Sequence, residues 1–310
     1  MTTTDPTRLQ GKTALVTGGS SGLGRGVVEA LARREMRVVA LARDPARLAA
    51  LAREVPGVET VAADAADEIT AGGGRAVDHP GSPSDQQSAE SLVDRCIDEF
   101  GAIHILVNCA GIAEPPGSSI LDISSAQFDE LLESHLSTVF ATCSAAAPKM
   151  VEQGGGSIVN TSSLAFLGDY GGTGYPAGKG AVNSLTLAIA AELKEQGVRA
   201  NVVCPGAKTR LSTGPDYEAH IVELNRRGLL DDVSMQGSLD VAPPDYVAPT
   251  YVYLASDLAE RVTGEIFVAS GGFIGRYPRA TPALLGYRDH HDTPPWSVAE
   301  LSALIDSPAG

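Results

Sequence analysis

Tyr175 and Lys179 stand four residues apart in the segment YPAGK, and in a helix this spacing places both side chains on one face. A nearby ammonium favours the phenolate form, so the lysine would lower a tyrosine pKa that is ordinarily about 10. A tyrosine with a lowered pKa can donate or accept a proton near neutral pH. The pair therefore predicts a general acid/base, although Tyr–Lys pairs at this spacing are also common on ordinary helix surfaces.

A glycine-rich segment, TGGSSGLG, spans residues 17–24 and is called the glycine turn below. It lies between the apolar run TALVT and a stretch with helical spacing. Spaced glycines allow a tight turn, a close approach of backbone to a pyrophosphate and close packing of helix on strand. The helix N-terminus behind them offers free N–H groups to an anion. The segment predicts a dinucleotide-binding site, with plain turn glycines as the alternative.

Short apolar runs alternate with helical stretches along the chain, which predicts an α/β fold with a parallel sheet covered on both faces. We predict helices at 23–34, 45–54, 85–100, 125–134, 135–152, 175–195, 245–256 and 297–305. We predict strands at 13–17, 38–41, 75–77, 103–108, 157–162, 198–205 and 264–269. The run at 58–63 could equally be the third strand. We prefer 75–77 because a predicted helix follows it directly, and the earlier run then becomes an insertion.

No linker divides the chain, so we predict one domain over residues 1–275. Within it, residues 207–244 are rich in proline, glycine and charge around a short helical core, and they fit a lid that sets substrate specificity. Residues 276–310 form a C-terminal extension with many prolines. We expect this extension to pack on the domain or on a neighbouring subunit.

The net charge of −15 makes nucleic acid and anionic membranes poor partners, because such a surface repels phosphate groups. No apolar stretch is long enough for a signal core or a membrane helix. The four cysteines form no CxxC pair and lie mostly in apolar segments, which favours buried free thiols in a reducing cytoplasm. We therefore expect a soluble cytoplasmic protein whose anionic ligands are held by local basic groups or helix N-termini.

Five separated motifs together resemble those of the short-chain dehydrogenase/reductase family over about residues 9–275. They are TGxxxGxG in the glycine turn, NCAG (108–111), TSS (161–163), YPAGK (175–179) and PGAKT (205–209). There is also partial similarity to the 3-hydroxyacyl-CoA dehydrogenase and ketoreductase branches. The resemblance implies one doubly wound Rossmann domain with a parallel seven-stranded sheet. It also implies an NAD(P)-dependent enzyme that moves a hydride between nicotinamide and a carbonyl or secondary-alcohol carbon, as a homodimer or homotetramer.

The resemblance assigns catalytic roles to Ser163, Tyr175 and Lys179. Ser162 would restore the usual serine-to-tyrosine spacing, but we prefer Ser163 because the strand fixes its direction and loops tolerate a deletion. The implied cofactor contacts are Gly18, Ser20, Ser21, Gly22, Leu23, Gly24, Arg43, Asn108, Ala110, Gly111, Tyr175, Lys179, Pro205, Gly206 and Thr209.

The end of the second strand decides between the two nicotinamide cofactors. Members of the family that use NAD place a carboxylate there, whereas this chain has Ala42 followed by Arg43. A guanidinium suits bidentate binding of a phosphate. The pattern favours NADP(H), with NAD(H) as the alternative if Arg43 is only a solvated surface residue.

His135 takes the position of the family's proton-relay asparagine. The relay could persist through the backbone carbonyl, the imidazole could titrate directly, or the residue could serve packing. We expect no metal site, since adjacent histidines such as His290 and His291 do not readily share one ion. Two other functions stay open: an NAD-dependent 3-hydroxyacyl-CoA-type dehydrogenase, and a dinucleotide-binding sensor or scaffold without turnover.

Overall fold

The structure, a computed structural model, describes residues 9–56, 58–62, 76–78 and 82–306 of the 310-residue chain. The chain divides into two compact units, Met1–Tyr277 and Pro278–Gly310. The predicted lid lies in the first unit. The segment between the two candidate third strands, residues 63–75, lies outside the described residues.

The first unit contains a sheet of nine described strands, β1 to β9. Most are runs of β-branched and aliphatic residues, which suit a pleated surface buried on both sides. In chain order they are Thr13–Thr17, Arg37–Ala42, Val58–Ala62, Ala76–Asp78, Ile105–Asn108, Gly156–Thr161, Val198–Gly206, Ile266–Ser270 and Phe273–Tyr277.

Ten α-helices, α1 to α10, are present in the described ranges. Their ends follow local chemistry: the Asp85 carboxylate accepts a hydrogen bond from the backbone N of Ser88 at 2.8 Å where α3 begins, and Gly101 with φ 82° ends it. The helices are Gly22–Ala32, Pro45–Glu54, Gln86–Phe100, Ser125–Leu132, Thr138–Glu152, Gly174–Leu193, Pro215–Arg226, Asp232–Leu239, Ala248–Ala255 and Val298–Ile305.

The strand order is β4-β3-β2-β1-β5-β6-β7-β8-β9, so the order reverses between β1 and β5. All neighbouring strands pair in parallel except β8 and β9. In doubly wound sheets ligands bind at the carboxyl ends of the strands near such a reversal. The α/β doubly wound fold is therefore confirmed.

The prediction of seven strands is wrong in two places. Val58–Ala62 is not an insertion, because it pairs directly with β2, and Ala76–Asp78 then adds outside it. The ninth strand was missed because Gly271 and Gly272 form a two-residue connection that folds Phe273–Tyr277 back against β8. Gly271 has φ 54°, the left-handed conformation that tight hairpins require.

Alternating side chains of the sheet enter two separate hydrophobic clusters. On one face Ala14 and Val16 of β1 pack with residues of α1, α2 and α9. On the other face Leu15 packs with residues of α3, α5 and α6. Helices therefore cover both faces, as predicted, and the carboxyl ends of the strands are left to the connecting loops.

The predicted lid, residues 207–244, contains two helices, α7 and α8, with a small cluster of their own. Ile221, Leu224 and Leu230 are its buried members. None of the helices in the described ranges is long and apolar enough to cross a bilayer.

The second unit is organised around Arg288. Its guanidinium lies 3.8 Å from the centre of the Trp296 ring and donates to Glu300 at 2.8 Å. Glu300 and Ser297 form a capping box at the start of α10. The packing of this extension against the domain or another subunit stays a prediction.

Gly24 has no room for a side chain, because a Cβ there would lie 2.2 Å from the carbonyl oxygen of Gly18. We expect Gly24→Ala to lower the free energy of unfolding by about 1–3 kcal/mol, the usual cost of overpacking. Gly180 also lies within a helix, but a Cβ there would have nothing within 4 Å. Gly180→Ala should therefore raise the free energy of unfolding by about 0.5–1 kcal/mol. Urea unfolding measures both, and equal stability of the two variants would contradict the close packing of the glycine turn.

Candidate active site

Tyr175 and Lys179 lie on the first two turns of α6, where the four-residue spacing brings both to one face. Lys179 is 5% exposed, and its ammonium donates to the backbone oxygen of Thr161 at 3.0 Å. Its nitrogen is 5.6 Å from the centre of the Tyr175 ring. Burial lowers the pKa of Lys179 to about 8, so the ammonium is still the main form at neutral pH.

The pKa of Tyr175 is raised, contrary to the prediction that Lys179 lowers it. Burial is the largest cause, because it disfavours the phenolate more than the hydrogen bond from Ser163 favours it. The spacing of the two residues reveals the charge of the lysine but not the loss of water around the phenol. In this environment Tyr175 is a protonated phenol at neutral pH, ready to donate.

The two candidate serines point in different directions at the end of β6. Ser163 lines the same cavity as Tyr175, and its hydroxyl partly offsets the rise in the pKa of the phenol. Ser162 is buried, and its hydroxyl donates to the backbone oxygen of Lys179 at 3.0 Å. The structure thus brings Ser163 to Tyr175 and ties Ser162 to the backbone of α6.

His135 lies in a π-helical turn, Glu133–Ser137, between α4 and α5. Its Nε2 donates to the backbone oxygen of Ile112 at 3.0 Å, and its ring meets the Tyr175 ring edge-on at 4.9 Å. Its Nδ1 is buried and has no partner among the described residues. Burial and then the charge of Lys179 lower the pKa of His135 to about 3. The imidazole is therefore neutral at physiological pH, which argues against direct titration.

The glycine turn connects β1 to α1 at the reversal of strand order. Gly18 has φ 70°, and a Cβ there would lie 2.9 Å from the backbone nitrogen of Ala110. Ser21 precedes α1 without a side-chain cap, which leaves N–H groups of the first turn available to an anion. The turn therefore has the close backbone and the free donors that a pyrophosphate requires.

Asn108 does not line the site, although it was predicted to contact the cofactor. It is 1% exposed, and its side-chain oxygen accepts from Thr17 at 3.2 Å and from Thr142 at 3.0 Å. Its amide donates to Asn160 at 3.0 Å. These bonds hold β1, β5, β6 and α5 together, so Asn108 supports the site from behind.

A single cavity of about 2230 Å³ brings the remaining predicted residues together at the carboxyl ends of the strands. Its size exceeds that of a typical small-molecule pocket and leaves room for a dinucleotide beside a substrate. The predicted residues that line it are Gly18, Ser20, Ser21, Gly22, Leu23, Gly24, Arg43, Ala110, Gly111, His135, Ser163, Tyr175, Lys179, Pro205, Gly206 and Thr209.

The rim of the cavity beyond β2 contains the residues on which the predicted cofactor choice rests. Arg43 is exposed there, and Ala42 supplies no carboxylate. The nearby Asp44 carboxylate is engaged, since it accepts from the backbone N of Arg47 at 3.1 Å and pairs with its guanidinium at 2.9 Å. The exposed guanidinium of Arg43 would suit an additional phosphate group, because the carboxylate of Asp44 beside it already has partners on Arg47.

Arg210 and Glu114 are charged residues at this cavity that the motifs do not predict. Arg210 directly follows the PGAKT motif, and its guanidinium lies 3.5 Å from the Ser21 hydroxyl, beside the glycine turn. Glu114 follows the NCAG motif and contacts the start of α6. Both residues lie next to a motif in the sequence, which indicates that they are near the site. Only the folded structure shows which groups each side chain contacts.

The four cysteines are free thiols, as expected, and three of them are buried. Cys109 and Cys204 lie near Lys179, and burial raises the pKa of each to about 11. Burial raises the pKa of Cys96 and of Cys143 to about 12. All four are therefore thiols and not thiolates at neutral pH.

Asp289, His290 and His291 in the second unit have potential ligand atoms within 4.8 Å of one another. The three residues are consecutive, and both histidines are exposed. The absence of a resident metal stays a prediction.

Comparisons with known proteins agree on one family. The family model for short chain dehydrogenase matches residues 12–214. A 3α-hydroxysteroid dehydrogenase of Mediterraneibacter gnavus is 34% identical, covering 85% of this chain and 97% of the relative. A hydroxyacyl-CoA dehydrogenase of Mycobacterium tuberculosis is 32% identical, covering 98% and 90%. A solved short-chain type dehydrogenase/reductase from Mycobacterium ulcerans superimposes with a TM-score of 0.67 at 28% identity, covering 85% of this chain and 90% of that one.

The low pKa of His135 predicts a loss of stability in mild acid. Unfolded, this histidine gains a proton as pH falls below about 6.5, whereas the folded form does not until about 3. Folding stability is therefore complete above 6.5 and declines below it, by about 2 kcal/mol at pH 5 from this residue. Urea unfolding at pH 7.5 and pH 5 should show that His135→Asn loses less stability than the parent by about this amount. His104 is present in both proteins, so its own titration cancels, and equal losses would contradict the buried neutral imidazole.

Proposed function

The chain belongs to the short-chain dehydrogenase family, whose members act on CH–OH groups of small molecules with NAD(P)(H), and we propose that it is an NADP(H)-dependent ketoreductase or alcohol dehydrogenase with Tyr175 as general acid/base. The observation that carries this proposal is the convergence of Ser163, Tyr175 and Lys179 on one cavity that also contains the glycine turn.

The residues around the cavity fit a dinucleotide. The glycine turn and the N-terminus of α1 would hold the pyrophosphate, and Arg43 would hold the additional phosphate of NADP. Lys179 would contact the hydroxyls of the nicotinamide ribose, and Thr209 with Pro205 and Gly206 would border the carboxamide. When bound, the cofactor supplies or accepts the hydride.

The protein's own groups handle the substrate oxygen and its proton. In the reductive direction Ser163 and Tyr175 donate hydrogen bonds to the carbonyl oxygen, which polarises the carbonyl bond. Tyr175 then transfers its proton to that oxygen as the alcohol forms. The raised pKa of the buried phenol keeps the proton in place until this step, and the Lys179 ammonium stabilises the phenolate that remains. The neutral His135 leaves two roles, a relay through its backbone carbonyl or packing against Tyr175.

A second candidate is an NAD-dependent 3-hydroxyacyl-CoA-type dehydrogenase. It is favoured by the hydroxyacyl-CoA dehydrogenase relative, whose similarity extends over 98% of this chain. The sensor or scaffold function is less favoured, because Tyr175, Lys179 and Ser163 are all present at the cavity. We further propose that the protein is a cytoplasmic homodimer or homotetramer.

Tyr175→Phe tests the chemistry. We expect turnover of NADPH with the best ketone of a panel to fall by about 10²- to 10⁴-fold, since the proton donor is lost. The panel contains a 3-oxoacyl thioester, an aromatic polyketide-like ketone and a ketosteroid. Tyr246→Phe is the matched control, because Tyr246 is 57% exposed and its ring lies outside the cavity. Unchanged turnover by Tyr175→Phe would refute the proposed acid/base.

Arg43→Ala tests the cofactor choice. Removing a charged hydrogen-bond donor from the phosphate should raise the KM for NADPH by about 10- to 100-fold and leave that for NADH unchanged. Arg53→Ala, an exposed change of the same charge on α2, is the control. Faster turnover of the parent enzyme with NADH than with NADPH would overturn the NADP assignment and favour the second candidate.

A further inference from the structure

Glu114 lies in the loop between β5 and α4, yet its carboxylate meets the beginning of α6. It accepts hydrogen bonds from three consecutive backbone N–H groups, those of Thr173 at 3.1 Å, Gly174 at 3.3 Å and Tyr175 at 2.5 Å. The Ser118 hydroxyl donates to the same carboxylate at 2.8 Å. One side chain thus receives four donors, one of which is the backbone of the residue proposed as acid/base.

The first N–H groups of any helix lack partners within the helix and must be satisfied from outside. The residue that precedes α6, Thr173, makes no side-chain capping bond. A carboxylate is suited to this position because it also complements the positive end of the helix dipole. Glu114 therefore caps α6 from a loop about sixty residues earlier in the chain.

The loop before α6 is shaped to admit this carboxylate. Gly172 has φ 77°, and a Cβ on it would lie 3.0 Å from both Cγ and Cδ of Glu114. The Glu114 side chain thus packs against the backbone of the loop as well as accepting its hydrogen bonds. Contact on both sides limits the positions that the first turn of α6 can take.

We propose that Glu114 is a positioning residue for Tyr175, and this inference rests on the proposed function. By fixing the backbone of residues 173–175, the carboxylate fixes the direction of the phenol toward Ser163 and the substrate oxygen.

Glu114→Ala is the first test. A misplacement of about 1 Å at a reacting group can cost on the order of 10²-fold in rate, so we expect a loss of that order in kcat for carbonyl reduction. The dissociation constant for NADPH should stay unchanged, because none of the hydrogen bonds of Glu114 goes to the glycine turn or to Arg43, which would hold the phosphates. The isotope effect with NADPH deuterated at the transferred position should rise, since the chemical step becomes more fully rate-limiting.

Glu114→Gln provides a second variant in case the alanine variant does not fold. The amide oxygen can still accept from part of the helix start, but the NH₂ group cannot accept, so the defect should be partial. Asp85→Ala is the matched control, since it removes a carboxylate cap from α3, outside the cavity. It should alter stability while leaving both kcat and the isotope effect as in the parent.

A double variant separates positioning from mere stabilisation. If Glu114 acts through Tyr175, adding Glu114→Ala to Tyr175→Phe should cause little further loss of kcat. Full additivity of the two losses, or a lower kcat with an unchanged isotope effect, would overturn the proposal. If the single variant Tyr175→Phe keeps its activity, the proposed function is refuted. That result would not affect the observation that Glu114 caps α6.

Discussion

The hydrogen bonds of Asn108 fix the frame on which the site is built. They join Thr17, the first residue of the glycine turn, to Asn160, three residues before Ser163, and to Thr142 on α5. Buried amide groups carry a large penalty if they are left unpaired, so this network tolerates few alternative arrangements. These bonds therefore set the distance between the glycine turn, which is suited to phosphates, and Ser163, which is suited to the reacting carbonyl group. The connecting loops complete the cavity around these two positions.

Electrostatics in the cavity are governed by burial more than by charge pairing. The chain has a net charge of −15, yet Lys179 places an ammonium among neutral groups and a backbone carbonyl. Loss of water lowers the pKa of Lys179 and of His135 and raises that of Tyr175. Each shift favours the neutral form of the side chain, although Lys179 is still mainly an ammonium at neutral pH. Cations at the rim, such as Arg43 and Arg210, supply the local attraction that the acidic surface does not.

Sequence patterns anticipated the parts of this protein that depend on local chemistry. Spacing alone placed Tyr175 and Lys179 on one helix face, and the apolar runs located most strands of the sheet. The errors concern contacts between distant parts of the chain. The sequence of a short apolar run such as 58–62 does not indicate which strand it pairs with. The two-glycine connection between β8 and β9 cannot be distinguished by sequence from an ordinary loop. The NCAG motif predicts Asn108 at the cofactor, but the direction of its side chain follows from hydrogen-bond partners on β1, β6 and α5. Glu114 was missed for the same reason, since its partners lie sixty residues away.

The state of the thiols has a consequence for chemical durability. Oxidants and electrophiles react with thiolates, and the pKa values of Cys96, Cys109, Cys143 and Cys204 are all about 11 or 12. One of them, Cys109, lines the cavity, where an adduct on its sulfur would block binding. The burial that raises the pKa of the Tyr175 phenol therefore also keeps the Cys109 sulfur at the cavity in its less reactive, protonated form.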